Sequence, residues 1–197
     1  MKSRKKYLFI LGSIIILLIT LNSCSKKSKS KLDQYFYAHN SHNVDAAVSC
    51  FTDNASFQYK EGWTKTGKEK IRKLEEFWSA TNSNFTLFHQ EIKGDTVFCK
   101  FYDENDFYKN AGVEKVKYIA RFTFQDKLIK EAILVIFSDS QMEIRKALKP
   151  FYNWALEKRP EEWLKLFRDS EFLYGYEGAK GWLKLLKEWR EETQSGK

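Results

Sequence analysis

From Asn84 to about Ser138 the apolar side chains recur at every second position, and this alternation constrains the fold more than any other feature. Phe85, Leu87 and His89 form one such run. Val97, Cys99 and Phe101 form a second, Val116 to Phe124 a third, and Ile133, Val135 and Phe137 a fourth. Period two is the repeat of a β-strand with one face buried. Gly94-Asp95, Lys109 to Gly112 and Gln125-Asp126 fall between the runs and read as turns. Four antiparallel strands are expected here.

Upstream the period is helical. Leu32 to about Asn40 reads as a first helix. Val44, Ala47, Val48 and Phe51 then stand at i, i+3, i+4 and i+7 with Asn43 as N-cap, and Asp53-Asn54 ends that second helix. Phe57 and Tyr59 alternate with polar neighbours as a short strand. After the loop marked by Gly62 and Gly67 comes a helix carrying Ile71, Leu74, Phe77 and Trp78. Helices followed by an antiparallel sheet make an α+β layer. Residues 32–197 are enough for one domain with a real core.

The charge is not spread evenly. Of 34 Lys and Arg, eight precede Leu32, and no acid precedes Asp33, so residues 32–197 hold 26 basic groups against 26 acidic ones. The net charge of +8 therefore belongs to the N-terminus. This removes the electrostatic case for nucleic acid, which needs clustered cations on the folded part.

Lys2, Arg4, Lys5 and Lys6 precede a 15-residue apolar run, Tyr7 to Leu21. A spanning helix needs about 20 residues, so this run suits a signal peptide better than an anchor. The tetrapeptide Leu21-Asn22-Ser23-Cys24 resembles the lipobox of bacterial lipoproteins. The resemblance implies cleavage after residue 23, acyl chains such as palmitate on Cys24, and a cell-envelope location outside the cytoplasm. Residues 25–31, SKKSKSK, read as a flexible tether whose lysines can also meet anionic headgroups. The expected partners are thus the membrane and a small apolar ligand or a protein.

The stretch 35–59, YFYAHNSHNVDAAVSCFTDNASFQY, followed by a Gly-containing loop and TGKEKIRKLEEFW at 66–78, resembles the SnoaL-like branch of the nuclear transport factor 2-like superfamily. The resemblance implies helices closing a strongly bent antiparallel sheet into a cone around an apolar cavity, over residues 32–140. That fold hosts isomerases, cyclases and dehydratases, and also proteins with no chemistry. Ketosteroid isomerases of the superfamily use a first-helix tyrosine and two carboxylates. The alignment puts Tyr35 at the tyrosine, Tyr59 where the proton-moving carboxylate would stand, and Ala120 near the second acid. Both carboxylates are missing from those positions, so Tyr35 carries over as a hydrogen-bond donor, no catalytic residue is assigned, and a binding role is favoured over an isomerase or cyclase using Tyr35, Tyr59 and His89. Tyr35, Tyr59, Trp78, His89 and Tyr118 are the expected cavity-lining residues.

His39, His42 and His89 are the only histidines, and their spacing matches no metal signature. Cys50 and Cys99 read as two separately buried thiols, although an oxidising compartment would permit a disulfide. There is no Gly-rich phosphate loop, no Ser elbow and no Cys-x-x-Cys, so no cofactor is expected.

Residues 141–197 read as a helical extension and look like a partial copy of the domain's start. Shifted by 116, Leu32 and Phe51 fall on Leu148 and Phe167, and Tyr35-Phe36 on Phe151-Tyr152. Shifted by 111, Gly67, Leu74 and Trp78 fall on Gly178, Leu185 and Trp189. The face bearing Trp182, Leu185, Leu186 and Trp189 must be covered by something.

Overall fold

The computed structural model describes residues 31–60, 62–168 and 171–194. The signal sequence, Cys24 and most of the tether lie outside them. A first helix, α1, occupies 31–40, so it begins at the last residue read as tether. Helix α2 (Val44–Ser49) is capped by Asn43, whose side chain accepts from the Ala46 N–H. Phe51 does not extend this helix. It opens strand β1 (Phe51–Tyr59) and is fully buried there. The helical quartet thus correctly marked four core residues but ran across an element boundary.

Strand β2 (Thr64–Thr66) and helix α3 (Lys68–Ala80) follow, then β3 (Asn84–Lys93) and β4 (Thr96–Glu104). A short helix, α4 (Asp106–Ala111), stands where part of a turn was expected. Asn105 caps its start by accepting from the Tyr108 N–H, and Gly112 ends it at φ 91, which a residue without Cβ adopts freely. Strands β5 (Val116–Gln125) and β6 (Leu128–Ile136) complete the sheet.

The sheet order is β2-β1-β6-β5-β4-β3. Its pairings are antiparallel except that between β1 and β6, which is parallel. Register shifts interrupt β1 between Phe51 and Ser56, β3 between Leu87 and His89, and the β5–β6 pairing between Thr123 and Phe124. Bulges bend the bulged strand and raise local twist, which is how a sheet of this width curls around helices. In β6 the buried residues are Ile129, Ala132 and Leu134, leaving Ile133 and Val135 half-buried on the other face. An almost continuously apolar strand does not declare which face points inward.

The extension is helix α5 (Ser138–Lys158), helix α6 (Pro160–Leu166), strands β7 (Phe167–Arg168) and β8 (Glu171–Phe172), and helix α7 (Gly175–Gln194). The order helix, helix, antiparallel strand pair, helix therefore occurs at both ends of the chain, and Phe51 and Phe167 each open a strand immediately after a short helix. Helix α7 packs along α3. Within the extension, a Cβ at Gly178 would collide with the Leu173 carbonyl just before α7, so only glycine admits that local contact.

Two apolar cores result. The first fills the cone and includes Leu32, Tyr35, Phe51, Phe57, Ile71, Leu74, Phe101 and Phe122. The second joins α3 and α4 to the extension through Phe77, Phe107, Leu148, Phe151, Trp182, Leu185 and Leu186. Trp78, Tyr108, Ile144 and Tyr174 pack against both.

Candidate functional site

A cavity of about 270 Å³ lies at this junction. Strand β1 contributes Phe57 and Tyr59, α3 contributes Phe77 and Trp78, and β5 contributes Tyr118. The α4 region adds Asn105, Phe107 and Tyr108, and the extension supplies Leu148, Tyr152, Phe172 and Tyr174. The volume is near the lower end for small-molecule sites. Among the described residues, five tyrosines and no charged side chain line it.

The phenols are held neutral. Burial raises the pKa of Tyr118 well above the ordinary value and pushes Tyr152 up to about 12. It also raises Tyr108 and Tyr174. Removing a phenolate from water without a counter-charge is costly, so at physiological pH these groups remain hydroxyls. The Tyr108 and Tyr118 oxygens are 3.5 Å apart, a long contact in which either hydroxyl can be the donor. The walls therefore combine aromatic faces with neutral groups able to donate or accept.

Tyr59, Trp78 and Tyr118 line this cavity, whereas Tyr35 and His89 do not. Tyr35 is fully buried behind it, donating to Glu75 Oε1 at 2.9 Å. His89 is exposed on the outer face, a correction to its expected inward position. The cause is the bulge at Phe88: Leu87 pairs with Phe101 but His89 pairs with Lys100, so one residue is skipped and the alternation changes face. Cys50 and Cys99 are free thiols, and burial pushes Cys99 up to about 12.

The residues not anticipated are Glu75 and Asp103. Glu75 Oε2 lies 3.0 Å from His39 Nδ1, and His39 Nε2 lies 3.0 Å from Ser83 Oγ. Ser83 donates to Asp103 Oδ1 at 2.7 Å, and Asn105 donates to Asp103 Oδ2 at 2.8 Å. All six members, from Tyr35 to Asn105, are buried. The chain touches the cavity at two places. Asn105 belongs to both, and Trp78 packs edge-on to His39 at 5.5 Å while also lining the cavity.

Ser83 has one hydroxyl hydrogen, so it can donate to Asp103 or to His39 Nε2 but not to both. If Ser83 donates to an ionised Asp103, His39 Nε2 must donate to Ser83. If Asp103 carries the proton and donates, Ser83 turns and donates to His39 Nε2. Burial, opposed by the Ser83 and Asn105 donors and by His39, and reinforced by Glu104, raises Asp103 from 3.8 to about 6. A carboxyl whose folded pKa exceeds its unfolded one contributes stability fully present below pH 3.8 and lost as pH rises through about 6. Unfolding free energies measured at pH 4 and pH 7 should therefore fall with pH by up to about 3 kcal/mol from this group. In Asp103→Asn, which holds the second arrangement permanently, that component should vanish. Equal pH slopes in the two proteins would remove the assignment.

Both carboxylates are recessed from the cavity. A general base must reach the proton it removes at about 2.6 to 3.2 Å, directly or through one water. Neither acid is among the lining residues. Among the described residues no group of His, Cys, Asp and Glu could hold a metal ion.

The SnoaL-like domain profile matches residues 32–132, just over half of the chain. The chain belongs to the SnoaL-like domain family. No curated protein matches it. Among solved structures, the epoxide hydrolase/cyclase-like enzyme SalBIII of pyran ring formation in salinomycin is similar at a TM-score of 0.53, with 20% identity over 58% of this chain and 94% of that one. An NTF-2 like protein of unknown function from Burkholderia xenovorans LB400 is similar at a TM-score of 0.50, with 12% identity over 57% of this chain and 84% of that one. Identities this low establish the shared bent-sheet cone alone. The profile match ends before α5, so the wall supplied by the extension lies outside the family match.

Proposed function

We propose that this SnoaL-like protein is a lipid-anchored component of the bacterial cell envelope that binds a small, neutral, largely apolar ligand without chemical conversion. The observation that carries the binding role is the uncharged, aromatic, tyrosine-lined cavity with both nearby acids recessed behind Trp78 and Asn105. Charged ligands would be desolvated there with no counter-charge. Neutral ligands with oxygen atoms would meet phenols and aromatic faces.

Native mass spectrometry of the detergent-released chain should show a co-purifying small molecule, released unchanged on denaturation. Tyr118→Phe should weaken its retention several-fold, the usual consequence of losing one neutral hydrogen bond. A second reading, an isomerase or cyclase, draws on Asp103 titrating at about 6 one hydrogen bond away from cavity-lining Asn105. Recovery of a chemically altered molecule, with turnover lost in Asp103→Asn, would establish the enzyme and overturn the binding role. Ketosteroid isomerase activity is expected to be absent, because Tyr59 and Ala120 occupy the positions aligned with its carboxylates.

The membrane-anchored part of the proposal is supported by the Leu21-Asn22-Ser23-Cys24 lipobox after a short apolar run. Cys24→Ala should leave the precursor uncleaved and without acyl label. Normal labelling with fatty acid in that variant would refute the anchor.

A further inference from the structure

Two of the cavity's phenols bring their oxygens to a common place without bonding well to each other. Tyr108 stands on α4 and Tyr118 on β5, both line the cavity, and their hydroxyl oxygens are 3.5 Å apart. Hydrogen bonds between hydroxyls cluster at about 2.7 to 2.8 Å, so this contact is weak and little is lost when it breaks. The rings themselves are held firmly. Asn105 caps α4 through the Tyr108 N–H and is fixed in turn by Asp103, while Tyr118 stacks on Phe101 with centroids 5.3 Å apart and planes 13° from parallel. Each phenol has one hydrogen, and only one of the two can be spent on the other. An oxygen atom placed against both would accept two hydrogen bonds at once.

We propose that, within the cavity read above as a ligand site, this pair is a seat for the carbonyl oxygen of an uncharged ligand such as a ketone, ester or lactone. A carbonyl oxygen has two lone pairs and no hydrogen, so it uses both phenol hydrogens and requires neither phenol to accept. A ligand hydroxyl or amine is a poorer match, because a phenol oxygen shares its lone pair with the ring and is the better donor for it. An anion is opposed. Burial raises the pKa of both phenols most, and the Asp103 carboxyl raises both further, so negative charge at this place is disfavoured from behind. The same effect disfavours an enolate on the seated oxygen, in keeping with binding without conversion.

Neighbouring polar groups are already committed. Asn105 Oδ1 accepts from the Tyr108 N–H, its Nδ2 donates to Asp103, and the Tyr174 hydroxyl is engaged by Trp63. Tyr35, the donor position suggested by the resemblance to ketosteroid isomerases, is spent on Glu75 and is not among the lining residues. Ile136 stands opposite Tyr118 in the β5–β6 pairing and also lines the cavity, so ligand atoms next to the carbonyl meet an aliphatic wall. Two preorganised donors beside apolar walls are the usual means by which a small site fixes the orientation of its ligand.

The test titrates the full chain, released in detergent and freed of bound small molecules, with 2-acetylnaphthalene and with 2-isopropenylnaphthalene, in which a CH2 group replaces the ketone oxygen. Detergent without protein is the blank. The ketone is expected to bind about tenfold more tightly than the alkene, the combined effect of two neutral hydrogen bonds. With an isotope-labelled carbonyl, infrared difference spectra should show the bound C=O stretch at lower frequency than in hydrocarbon solvent. Tyr108→Phe and Tyr118→Phe should each remove part of the preference, and the double variant all of it, returning the stretch to its hydrocarbon value while the alkene binds as before. Equal affinities of the unaltered chain for the two probes, or an unshifted stretch, would overturn the seat and leave the ligand site standing. A preference that survives in the double variant would also overturn it, by placing the carbonyl elsewhere. Binding of neither probe would overturn the ligand site together with the seat. The comparisons on the unaltered chain decide the matter whether or not the double variant folds.

Discussion

Ending the chain after Ser138 is expected to give a protein that aggregates or melts far below the full-length chain. Helices α5 and α7 bring Leu148, Phe151, Trp182, Leu185 and Leu186 against Phe77 and Phe107, and all seven are buried. Large apolar side chains contribute roughly 1.5 to 3 kcal/mol each when fully buried, against a net stability of about 5 to 15 kcal/mol for a typical protein. The truncated chain would also expose the second core and lose one wall of the cavity. The strongest single position is Trp182, fully buried, stacked on Phe172 at 4.4 Å and donating its indole N–H to the Leu173 carbonyl. Trp182→Ala should cost about 3 to 5 kcal/mol in chemical denaturation. Trp189, only partly buried against Phe151, should cost less, although its place in the sequence pattern had suggested equal weight. A truncated chain that remains monomeric and melts at the full-length temperature would show the extension to be an independent module.

Glu75→Leu should be comparably damaging. The carboxylate is 2% exposed and accepts from the Tyr35 hydroxyl while facing His39 Nδ1. Removing it leaves two buried polar groups without their partner, and breaking a buried charged contact from one side typically costs about 3 to 5 kcal/mol. Glu75→Gln keeps one acceptor and should lose less. If the cost comes from orphaned partners, combining Glu75→Leu with His39→Leu should recover part of it. Strictly additive losses in that double variant would mean that the two side chains are not energetically coupled.

A small part of the cavity lining was legible. Tyr59, Trp78 and Tyr118 were placed on it from the family resemblance, because an early helix and a two-residue strand period carry enough information to align a cone. Local pattern failed where one residue changes phase: the bulge at Phe88 turns His89 outward, and Phe51 leaves a helix to open a strand while staying in the core.

The buried acids show a different limit. Glu75 stands with Ile71, Leu74 and Trp78 at i, i+3, i+4 and i+7 on α3. His39 completes the same spacing at i+7 after Leu32, Tyr35 and Phe36 on α1, and Asp103 continues the alternation of Val97, Cys99 and Phe101 on β4. Each occupies a core position of its own element, a signal present in the sequence but ordinarily read as tolerated polarity. Periodicity reports which face of an element is inward, and so the amino-acid sequence alone determined the α+β class and the SnoaL-like cone. Which inward polar groups meet depends on how α1, α3 and β4 converge, and the same convergence sets where α7 lies along α3. Only the tertiary structure decided that the two acids are joined through His39 and Ser83 away from the cavity, and that residues beyond 138 form one of its walls.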